Sequence, residues 1–358
     1  MADWLKSMEQ TYEYYIVDPG TWKDVKKLNN VKSCTITRDA ETDTLGSATI
    51  DITESVGECY IRIYLVTIQN GITEKHPLGT FLVQTPSSSF DGKKRDVSMD
   101  AYTPLIELKE NPPPIGYSII AENEDGSYKN IMENAVALTS ENLRAPVVNA
   151  TCDKTLHYDF VASTEETWLS YISDLIANAK YIFGLDELGR ILFLPKQDIT
   201  SMQPVWTYND DNSSILLPEI TMTHDIYKVP NVVEVVYANG AARYHAVAIN
   251  DDPNSPTSTV NRGRIIKHRD TSPKLAGIAT QSMIDEYAEK LLEEMSTVEY
   301  TITYTHGYCP VRLGDCVRLN YESAGITGIK AKVISQNIKC KSGCQVTEKA
   351  AFTTKLWR

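Results

Sequence analysis

The sequence predicts an α+β protein that is mainly β, in which a small α/β domain lies between two antiparallel β-barrel domains. Two observations predict the β domains: short runs of alternating apolar and polar residues fill 11–103 and 200–350, and turn residues separate the runs. A third observation, helical spacing of apolar residues after a proline-rich segment, predicts the middle domain. We expect the three domains at residues 1–108, 109–198 and 199–358.

The first domain is predicted to be an antiparallel barrel or sandwich of short strands. Asn70-Gly71 and Asp91-Gly92 mark two hairpins, because Asn-Gly and Asp-Gly favour the positive φ angles of type I′ turns. After the turn at Asp18-Pro19-Gly20, residues 21–28 are predicted to form a short helix. The expected strands are residues 11–18, 31–38, 48–52, 60–68, a return strand that reaches 82–85, and 97–101.

The boundary of the middle domain is marked by Asn111-Pro112-Pro113-Pro114, which is predicted to be a stiff, extended linker. Ser127 is predicted to cap a first helix, and Ser163 with Glu166 to form the capping box of a second. The apolar residues of these helices are spaced three or four apart and should face the core: Ile131, Ala135 and Leu138 in the first, and Trp168, Leu169, Ile172, Leu175, Ile176 and Ala179 in the second.

A hairpin should complete the middle domain, with strands at 181–185 and 190–194 around the turn residues 186–189. We expect the second helix to cover it.

The last domain is predicted to combine strands with one amphipathic helix at 282–295. Asn239-Gly240 repeats the hairpin signal, and residues 251–260 are predicted to be an exposed loop because they are rich in Asp, Asn, Pro, Ser and Thr. The expected strands are 215–227, 232–237, 243–249, 262–268 and 298–305, followed by a meander over 313–350. In the middle strand of this meander, even-numbered positions from Lys330 to Cys340 should form one face and odd-numbered positions the other.

The composition excludes some classes of protein. The chain has 47 acidic and 35 basic residues and a formal net charge of −12. Binding to nucleic acid comes mainly from neutralising phosphates, so this excess of acidic residues argues against general DNA or RNA binding. A weakly repulsive conduit for DNA is compatible with the charge, and so is a role in solubility alone.

The cysteines and the N-terminus indicate folding in a reducing cytoplasm. No apolar run approaches the ~20 residues that span a bilayer, and the N-terminal MADWLKSMEQ has no hydrophobic signal-peptide core. Seven cysteines are too sparse for a disulfide scaffold. The spacing of Cys309, Cys316, Cys340 and Cys344 is poor for zinc, so we interpret them as small buried apolar side chains.

We assign no catalytic, cofactor-binding or metal-binding residues from the sequence, and we expect no cofactor. No two histidines have a zinc-hydrolase spacing, and the six are interpreted as surface or strand residues: His76, His157, His224, His245, His268 and His306. The cysteines lack the context of an activated thiolate. Glu165-Glu166 and Glu293-Glu294 have ready roles in caps or on solvated faces, and a carboxylate dyad formed across the fold stays open.

Other charged or glycine-containing segments are also interpreted as structural. Residues 184–189 lack the Lys-Ser/Thr ending of a phosphate loop and lie between strands. Two basic clusters, Lys93-Lys94-Arg95 on a hairpin and one formed by Arg262, Arg264, Lys267, His268 and Arg269, are by default solvated faces. A contact with acidic neighbours in an assembly is the alternative.

Several motifs resemble those of a known family. Leu-Gly-Asp-x-Val at 313–317, Gly-Ile-x-Gly at 325–328 and Val-Ile-Ser-Gln-x-Ile at 333–338 resemble the last barrel of phage tail-hub proteins, including the Mu-like and XkdQ-like tail proteins. Asp-x-x-Gly-x-Ile-x-Phe-x-Pro at 186–195 resembles the small module inserted between the two barrels of these hubs. The order of elements along most of the chain agrees with the same family.

The resemblance implies a baseplate or tail-tip hub that carries the tail-tube fold twice. Three chains with two barrels each would present six similar surfaces to the hexameric tail tube, while the other face would hold a trimeric spike or tip protein. Further implied partners are tape-measure and baseplate wedge proteins, with DNA passing through a central channel without specific binding. We expect the spike to be a separate protein, and assembly to occur in the host cytoplasm.

Two other classes of function remain as alternatives. The first is a tail-associated cell-wall hydrolase, whose catalytic carboxylates would have to meet across the fold. The second is a receptor-binding carbohydrate module, which should expose several aromatic side chains in one cluster; the 20 tyrosines permit this without locating it.

Overall fold

The protein forms two compact units in a computed structural model. The described residues are 2–53, 56–90, 92–93, 95–211, 214–239, 242–271, 273 and 280–357. The first unit comprises residues 1–219 and 304–349, and the second comprises 220–303 and 350–358. Strand makes up 47% of the chain and helix 15%, which confirms the mainly β, α+β class. The division into three domains remains a prediction.

The N-terminal part of the first unit contains seven strands, as far as the described residues show. They are β1 (Glu9–Asp18), β2 (Lys23–Leu28), β3 (Val31–Asp39), β4 (Gly46–Ile52), β5 (Tyr60–Gln69), β6 (Ile72–Phe90) and β7 (Arg95–Tyr102). The prediction of a helix at 21–28 is wrong, because Lys23–Leu28 forms a strand that pairs antiparallel with β1. Trp22 has a φ of 57°, which lies outside the helical range and turns the chain straight back.

Both predicted hairpins of this region are confirmed. Gln69 pairs with Ile72, and the two intervening residues, Asn70 and Gly71, have φ angles of 52° and 78°. In the second hairpin Phe90 pairs with Arg95, and Asp91 lies outside the described residues. The alternating apolar residues of these strands form one core, with Ile36, Ile50, Ile61, Ile63 and Met99 fully buried.

The helices and short strands that follow have a core of their own. They are α1 (Ile106–Glu110), β8 (Ser118–Ile119), α2 (Ile131–Asn142), β9 (Phe160–Val161), α3 (Trp168–Ala177), β10 (Tyr181–Leu185) and β11 (Ile191–Pro195). The predicted apolar stripes of both long helices are buried, and β10 pairs with β11 as predicted.

The predicted caps of the two long helices are wrong. Asn130, not Ser127, caps α2: its Oδ1 accepts from the backbone N–H of Met132 and Glu133. Thr167 with Ser170 forms the capping box of α3, while Ser163 and Glu166 close a turn before the helix.

The C-terminal strands join the N-terminal strands in one sheet. They are β12 (Trp206–Asn209), β13 (Leu216–His224), β17 (Thr297–Gly307), β18 (Cys316–Tyr321), β19 (Ile326–Lys339) and β20 (Gln345–Lys355), with a 3₁₀ turn at Glu322–Ala324. Among the described residues the sheet has the order β13-β17-β20-β19-β3-β4-β7-β6-β5-β1-β2, and β12 pairs with β18, which pairs with β19. The predicted meander over β18, β19 and β20 is confirmed.

The middle strand of the meander does not keep one buried face. Ala331 and Val333 are buried in its first half, whereas Gln336 and Ile338 are buried in its second half. The prediction of two uniform faces is therefore wrong. The change occurs where β19 stops pairing with β18, at Lys332, and starts pairing with β3, at Ser335. Each half thus packs into a different environment.

The second unit is a small sheet covered by a helix. Its elements are β14 (Val232–Asn239), β15 (Ala242–Ile249), α4 (Thr259–Arg262), β16 (Lys267–Asp270) and α5 (Gln281–Met295). As predicted, α5 is amphipathic, and Ile284, Ala288 and Leu292 pack against β14 and β15. The hairpin between these strands is confirmed by the pair Asn239 and Ala242, whereas Gly240 lies outside the described residues.

Two predictions for this unit are wrong. The loop at 251–260 is not wholly exposed, because Ser255, Thr257 and Ser258 are buried and the Asn250 side chain donates to the first two hydroxyls. Buried hydroxyls that satisfy one another can mimic the composition of a solvated loop. The strand expected at 262–268 is confined to Lys267–Asp270, since Gly263 ends α4 in the left-handed region.

The turn at 186–189 allows a matched test of close packing. Gly189 and Gly71 have φ angles of 74° and 78°, so alanine is strained by about 1 kcal/mol at either position. A Cβ at Gly189 would lie 2.7 Å from Thr80 Cβ, whereas a Cβ at Gly71 would meet nothing within 4 Å. Gly189→Ala should therefore destabilise the fold by about 1–3 kcal/mol more than Gly71→Ala in urea unfolding. Equal losses would contradict this packing.

Candidate functional site

The most unusual feature of the first unit is a buried cluster of polar side chains. Tyr208 on β12, Tyr304 and His306 on β17, and Glu348 on β20 are each no more than 1% exposed. Their positions follow from strand alternation: Tyr304 and His306 continue the inward face of Ile302, and Glu348 lies between the buried residues Val346 and Ala350 on the inward face of its strand. Three strands thus bring one carboxylate together with three rings.

Glu348 is the centre of this cluster, which we call the Glu348 cluster. The hydroxyl of Tyr304 donates to Glu348 Oε1, and that of Tyr208 lies 3.4 Å from the same oxygen. The other oxygen, Oε2, accepts from Gln336 Nε2 at 2.7 Å and lies 3.5 Å from His306 Nε2. A buried carboxylate requires such partners, because water no longer solvates its charge.

The cluster extends to the N-terminal strands through Gln336. Its Oε1 accepts from Arg38 Nη1 on β3 at 3.0 Å, while Nη2 of the same guanidinium donates to the carbonyl of Leu78 at 2.7 Å. The Gln336 Nε2 also donates to the carbonyl of Val311 at 3.0 Å. Gln336 therefore links β3 to β20 through side chains alone.

The cluster changes the protonation of its members. Burial by itself lowers the pKa of His306, but the contacts with Cys309 and the ion pair with Glu348 outweigh it and raise the pKa to about 10. Burial, followed by the charge of Glu348, raises the pKa of Tyr208 and of Tyr304 well above the usual range. At neutral pH His306 is therefore a cation and both phenols are protonated donors.

This arrangement is suited to fixing strands rather than to chemistry on a substrate. His306 and Glu348 are 1% and 0% exposed, so no substrate reaches them in this conformation. The sequence led us to interpret His306 as a surface or strand residue. It lies on β17 but is buried, and we did not recognise the cluster from the sequence. The alternation of apolar and polar residues could have indicated the cluster, because it places His306 and Glu348 on the inward faces of β17 and β20.

The remaining residues considered for chemistry have separate structural contacts. Glu166 accepts from the Ser163 amide, and Glu293 pairs with Lys355. Among the other histidines, His224 stacks on Tyr300 at 4.4 Å between ring centroids, and His245 lies 3.1 Å from Glu234. The structure does not bring these residues together.

The cysteines are free thiols, and most are buried. Cys34, Cys340 and Cys344 belong to the core of the N-terminal strands, and the Cys309 Sγ lies 3.2 Å from the Tyr208 hydroxyl. Within the described ranges no group of three or more His, Cys, Asp or Glu residues has a geometry that could hold a metal ion. In the same ranges no helix is both long enough and apolar enough to cross a membrane.

The hairpin of β10 and β11 docks on the N-terminal strands through its turn. The carbonyl of Leu188 accepts from Trp22 Nε1 at 2.8 Å and from Thr80 Oγ1 at 2.9 Å. Beside this turn Glu187 forms a two-point ion pair with Arg312. A cavity of about 460 Å³ lies next to the docked turn, with Leu78, Leu192 and Leu194 among its apolar lining.

Several surfaces are open to partners. β2 is one end of the sheet and carries Lys23, Lys26 and Lys27 on an exposed edge, a common protection against uncontrolled strand pairing. Of the two basic clusters, the second lies on and before β16, where Lys267 and Arg269 contact Glu234. Lys94 of the first cluster lies outside the described residues.

Exposed apolar side chains also occur in groups. Ile120, Tyr158 and Val161 lie around the β8–β9 ribbon, and the rings of Tyr128 and His157 are 5.4 Å apart beside it.

The fold is similar to that of solved phage tail proteins, which confirms at the level of the fold the resemblance found in the sequence. One similar structure is the tail protein from Neisseria meningitidis MC58, with a TM-score of 0.61, 13% identity, and coverage of 97% of this chain and 98% of that chain. Another is the 43 kDa tail protein of prophage MuSo2 from Shewanella oneidensis, with a TM-score of 0.60, 11% identity, and coverage of 96% and 98%.

A third similar structure is an Escherichia coli component of the type VI secretion system, described as structurally similar to the T4 bacteriophage tail proteins gp27 and gp5. Its TM-score is 0.50 at 8% identity, with coverage of 98% of this chain and 78% of that chain. No protein-family model and no curated sequence matches the chain.

Removing the central carboxylate should be costly. Glu348→Ala leaves Tyr304, Gln336 and protonated His306 without their acceptor in a buried site, so we expect a loss of about 3–5 kcal/mol in guanidinium unfolding. As a control, Asp43→Ala removes the exposed partner of Lys109 and should cost less than about 1 kcal/mol. Similar losses for both variants would show that the cluster contributes no more than a surface ion pair.

The His306–Glu348 pair should make stability fall in alkali. The folded-state pKa of about 10 exceeds the ordinary value of 6.5, so the folded protein binds an additional proton between these values. The stabilisation is complete below pH 6.5 and is lost as the pH rises through 10, with a slope of up to about 1.4 kcal/mol per pH unit.

Comparing the wild type with His306→Gln isolates the pH-dependent stabilisation by the His306–Glu348 pair, because all other ionisable groups are present in both proteins. The difference in unfolding free energy between wild type and variant should shrink from pH 6.5 to pH 10. A constant difference across this range would exclude a protonated His306.

Proposed function

We propose that the chain is a structural hub at the distal end of the tail of a phage or phage-like particle. In this proposal it is not an enzyme. Three copies form a ring that joins the hexameric tail tube to a trimeric spike or tip protein, and the ring surrounds a channel for genome or cargo. The particle is proposed to be assembled in the host cytoplasm and to carry the hub at its tail tip or baseplate.

The observation that carries the proposal is the likeness along the whole chain to tail proteins. It spans 96–98% of both chains for two such structures, so it includes the α/β module as well as both sets of strands. A likeness restricted to one β domain would support only a shared barrel or sandwich. Because fold alone does not fix function, the assembly itself has to be tested.

Three features of the first unit suit a part that transmits force. The Glu348 cluster ties β12, β17, β19 and β20 together in the interior. The pairing of β19 with β3 joins the two sets of strands into one sheet, and the turn at 186–189 fixes the hairpin to that sheet. Each contact restricts a motion that would otherwise dissipate a mechanical load.

The proposed partners follow from symmetry. A trimer can meet a hexameric ring if each chain presents two similar surfaces, which is the role we propose for the two tail-tube-like regions at 1–108 and 199–358. A closed ring also removes the open sheet edges that a single chain exposes. Tape-measure and baseplate wedge proteins are further candidates for its outer contacts.

The mass of the purified full-length chain and an image of its symmetry test the proposal together. We expect the mass of three chains in analytical ultracentrifugation and a threefold ring with an axial opening in electron micrographs. The tube protein of the same particle should bind the trimer end-on. A monomer or dimer at all concentrations, or a threefold particle without an axial opening, would contradict the hub.

The hydrolase alternative has its own test. Purified chain is applied to a gel containing bacterial cell walls, next to a known muramidase. We expect no clearing, because Glu348 has no exposed surface, while Glu166 holds the Ser163 amide and Glu293 pairs with Lys355. Clearing that persists in Glu348→Gln would point to other carboxylates and support an enzyme.

A further inference from the structure

An unusual concentration of basic residues marks one surface of the second unit. Residues 226–230 and 262–269 contain five lysines and arginines and no acidic residue, in a chain with a net charge of −12. Lys267 and Arg269 contact Glu234, so the exposed Lys228 and Arg264 supply most of the positive charge that a partner meets. The two segments are held together because Arg262 donates to the carbonyls of Val229 and Ile226. We call them the basic surface.

The basic surface also exposes apolar side chains. Tyr227 and Ile265 are 69% and 68% exposed, and the Arg264 guanidinium lies 5.8 Å from the centroid of the Tyr227 ring. Binding to phosphates requires only charge. Exposed apolar side chains are unfavourable in water, and their free energy falls when another protein covers them. The combination favours a protein partner over a nucleic acid.

A surface of opposite charge lies in the first unit. Residues 115–128 and 157–162 contain four acidic residues and no lysine or arginine. We call them the acidic ribbon, because their centre is the antiparallel pair of β8 and β9. The ribbon continues where Ala121 donates to Asp159 and Glu122 bridges to Tyr128.

Strand alternation gives the acidic ribbon one apolar outer face. Ile119 and Ala121 point into the core, so Ser118, Ile120 and Glu122 point outward. Their cross-strand partners share that face: Val161 lies opposite Ser118, and Tyr128 opposite Glu122. Ile120 and Val161 are 58% and 63% exposed. Glu122, Glu124 and Asp125 are exposed beside them.

We propose that the acidic ribbon of one copy packs against the basic surface of the next copy. A cyclic ring needs heterologous contacts, in which two different surfaces of each chain meet. The chain has two such surfaces, both with an apolar centre and with rims of opposite charge. This is the complementarity that selects a partner and its orientation. The inference rests on the proposed ring and names the residues that close it.

Charge reversal tests the contact in the full-length chain. The acidic variant is Glu122→Lys with Glu124→Lys, and the basic variant is Arg264→Glu with Lys228→Glu. Each should raise the concentration at which trimers dissociate by about tenfold or more. A matched control reverses two exposed acidic residues of α5, Glu286→Lys with Glu294→Lys, and should leave the trimer unchanged. Circular dichroism and the melting temperature establish that each variant is folded.

Combining the two reversals gives the decisive result. A chain with all four substitutions again has complementary surfaces and should regain the wild-type trimer. If each pair of substitutions weakened the trimer non-specifically, the two losses would add and the fourfold variant would be the weakest trimer. An equimolar mixture of the acidic and basic variants should form pairs but no closed trimer, because any ring of three contains at least one contact between like charges.

Other outcomes overturn the proposal. If both double variants remain trimeric at the wild-type concentration, the contact is wrong although the hub proposal stands. If the wild type forms no trimer, both fail. If only the basic variant loses assembly, or if it loses binding to short duplex DNA while remaining trimeric, the basic surface serves another partner and the inference fails.

Discussion

The pairing of β3 with β19 is the constraint on which the first unit depends. It joins strands about 300 residues apart in the chain, with the Thr37 hydroxyl and Asn337 amide 3.2 Å apart at its centre. On one side of this pair Arg38 reaches Gln336, and through it Glu348. Without this pair the N-terminal strands and the meander would be two separate sheets, and the Glu348 cluster would lose its link to the first.

The Glu348 cluster carries a cost that its partners have to offset. Removing a carboxylate and an imidazolium from water is unfavourable by several kcal/mol for each ion, and apolar residues of similar volume often give equal stability. What a polar cluster adds is specificity, because only one alignment of β17, β19 and β20 satisfies every donor and acceptor. A slip by one residue in any strand would point its member out of the cluster.

The sequence was most informative where one strong local rule applied. Alternation located most strands, and Asn70-Gly71 located a turn, because only positive φ angles suit that connection. It failed where two rules competed. Residues 21–28 have no strong apolar pattern, and the turn at Trp22 directs them into a strand. Residues 251–260 have the composition of a loop, although their buried hydroxyls form hydrogen bonds with one another in the interior.

Long-range relations were not predictable from the sequence. The change of buried face in β19 depends on which strand lies beside it, and that strand is either β18 or β3. The Glu348 cluster could have been suspected from alternation, but its membership depends on contacts between residues more than 100 positions apart, as for Tyr208 and Glu348. The caps of α2 and α3 were misplaced by a few residues because several Ser, Thr and Asn side chains compete for each helix start.

The pairing of β3 with β19 also affects how the chain folds during synthesis. At translation speeds of about 5–20 residues per second, the ribosome needs roughly 15–60 s to produce β19 after β3. For that time the edge of β3 has no native neighbour, and the nascent chain displays a row of unused backbone donors and acceptors. Such high contact order slows folding, so the cell has to keep the early strands from associating with other chains until the last hundred residues emerge.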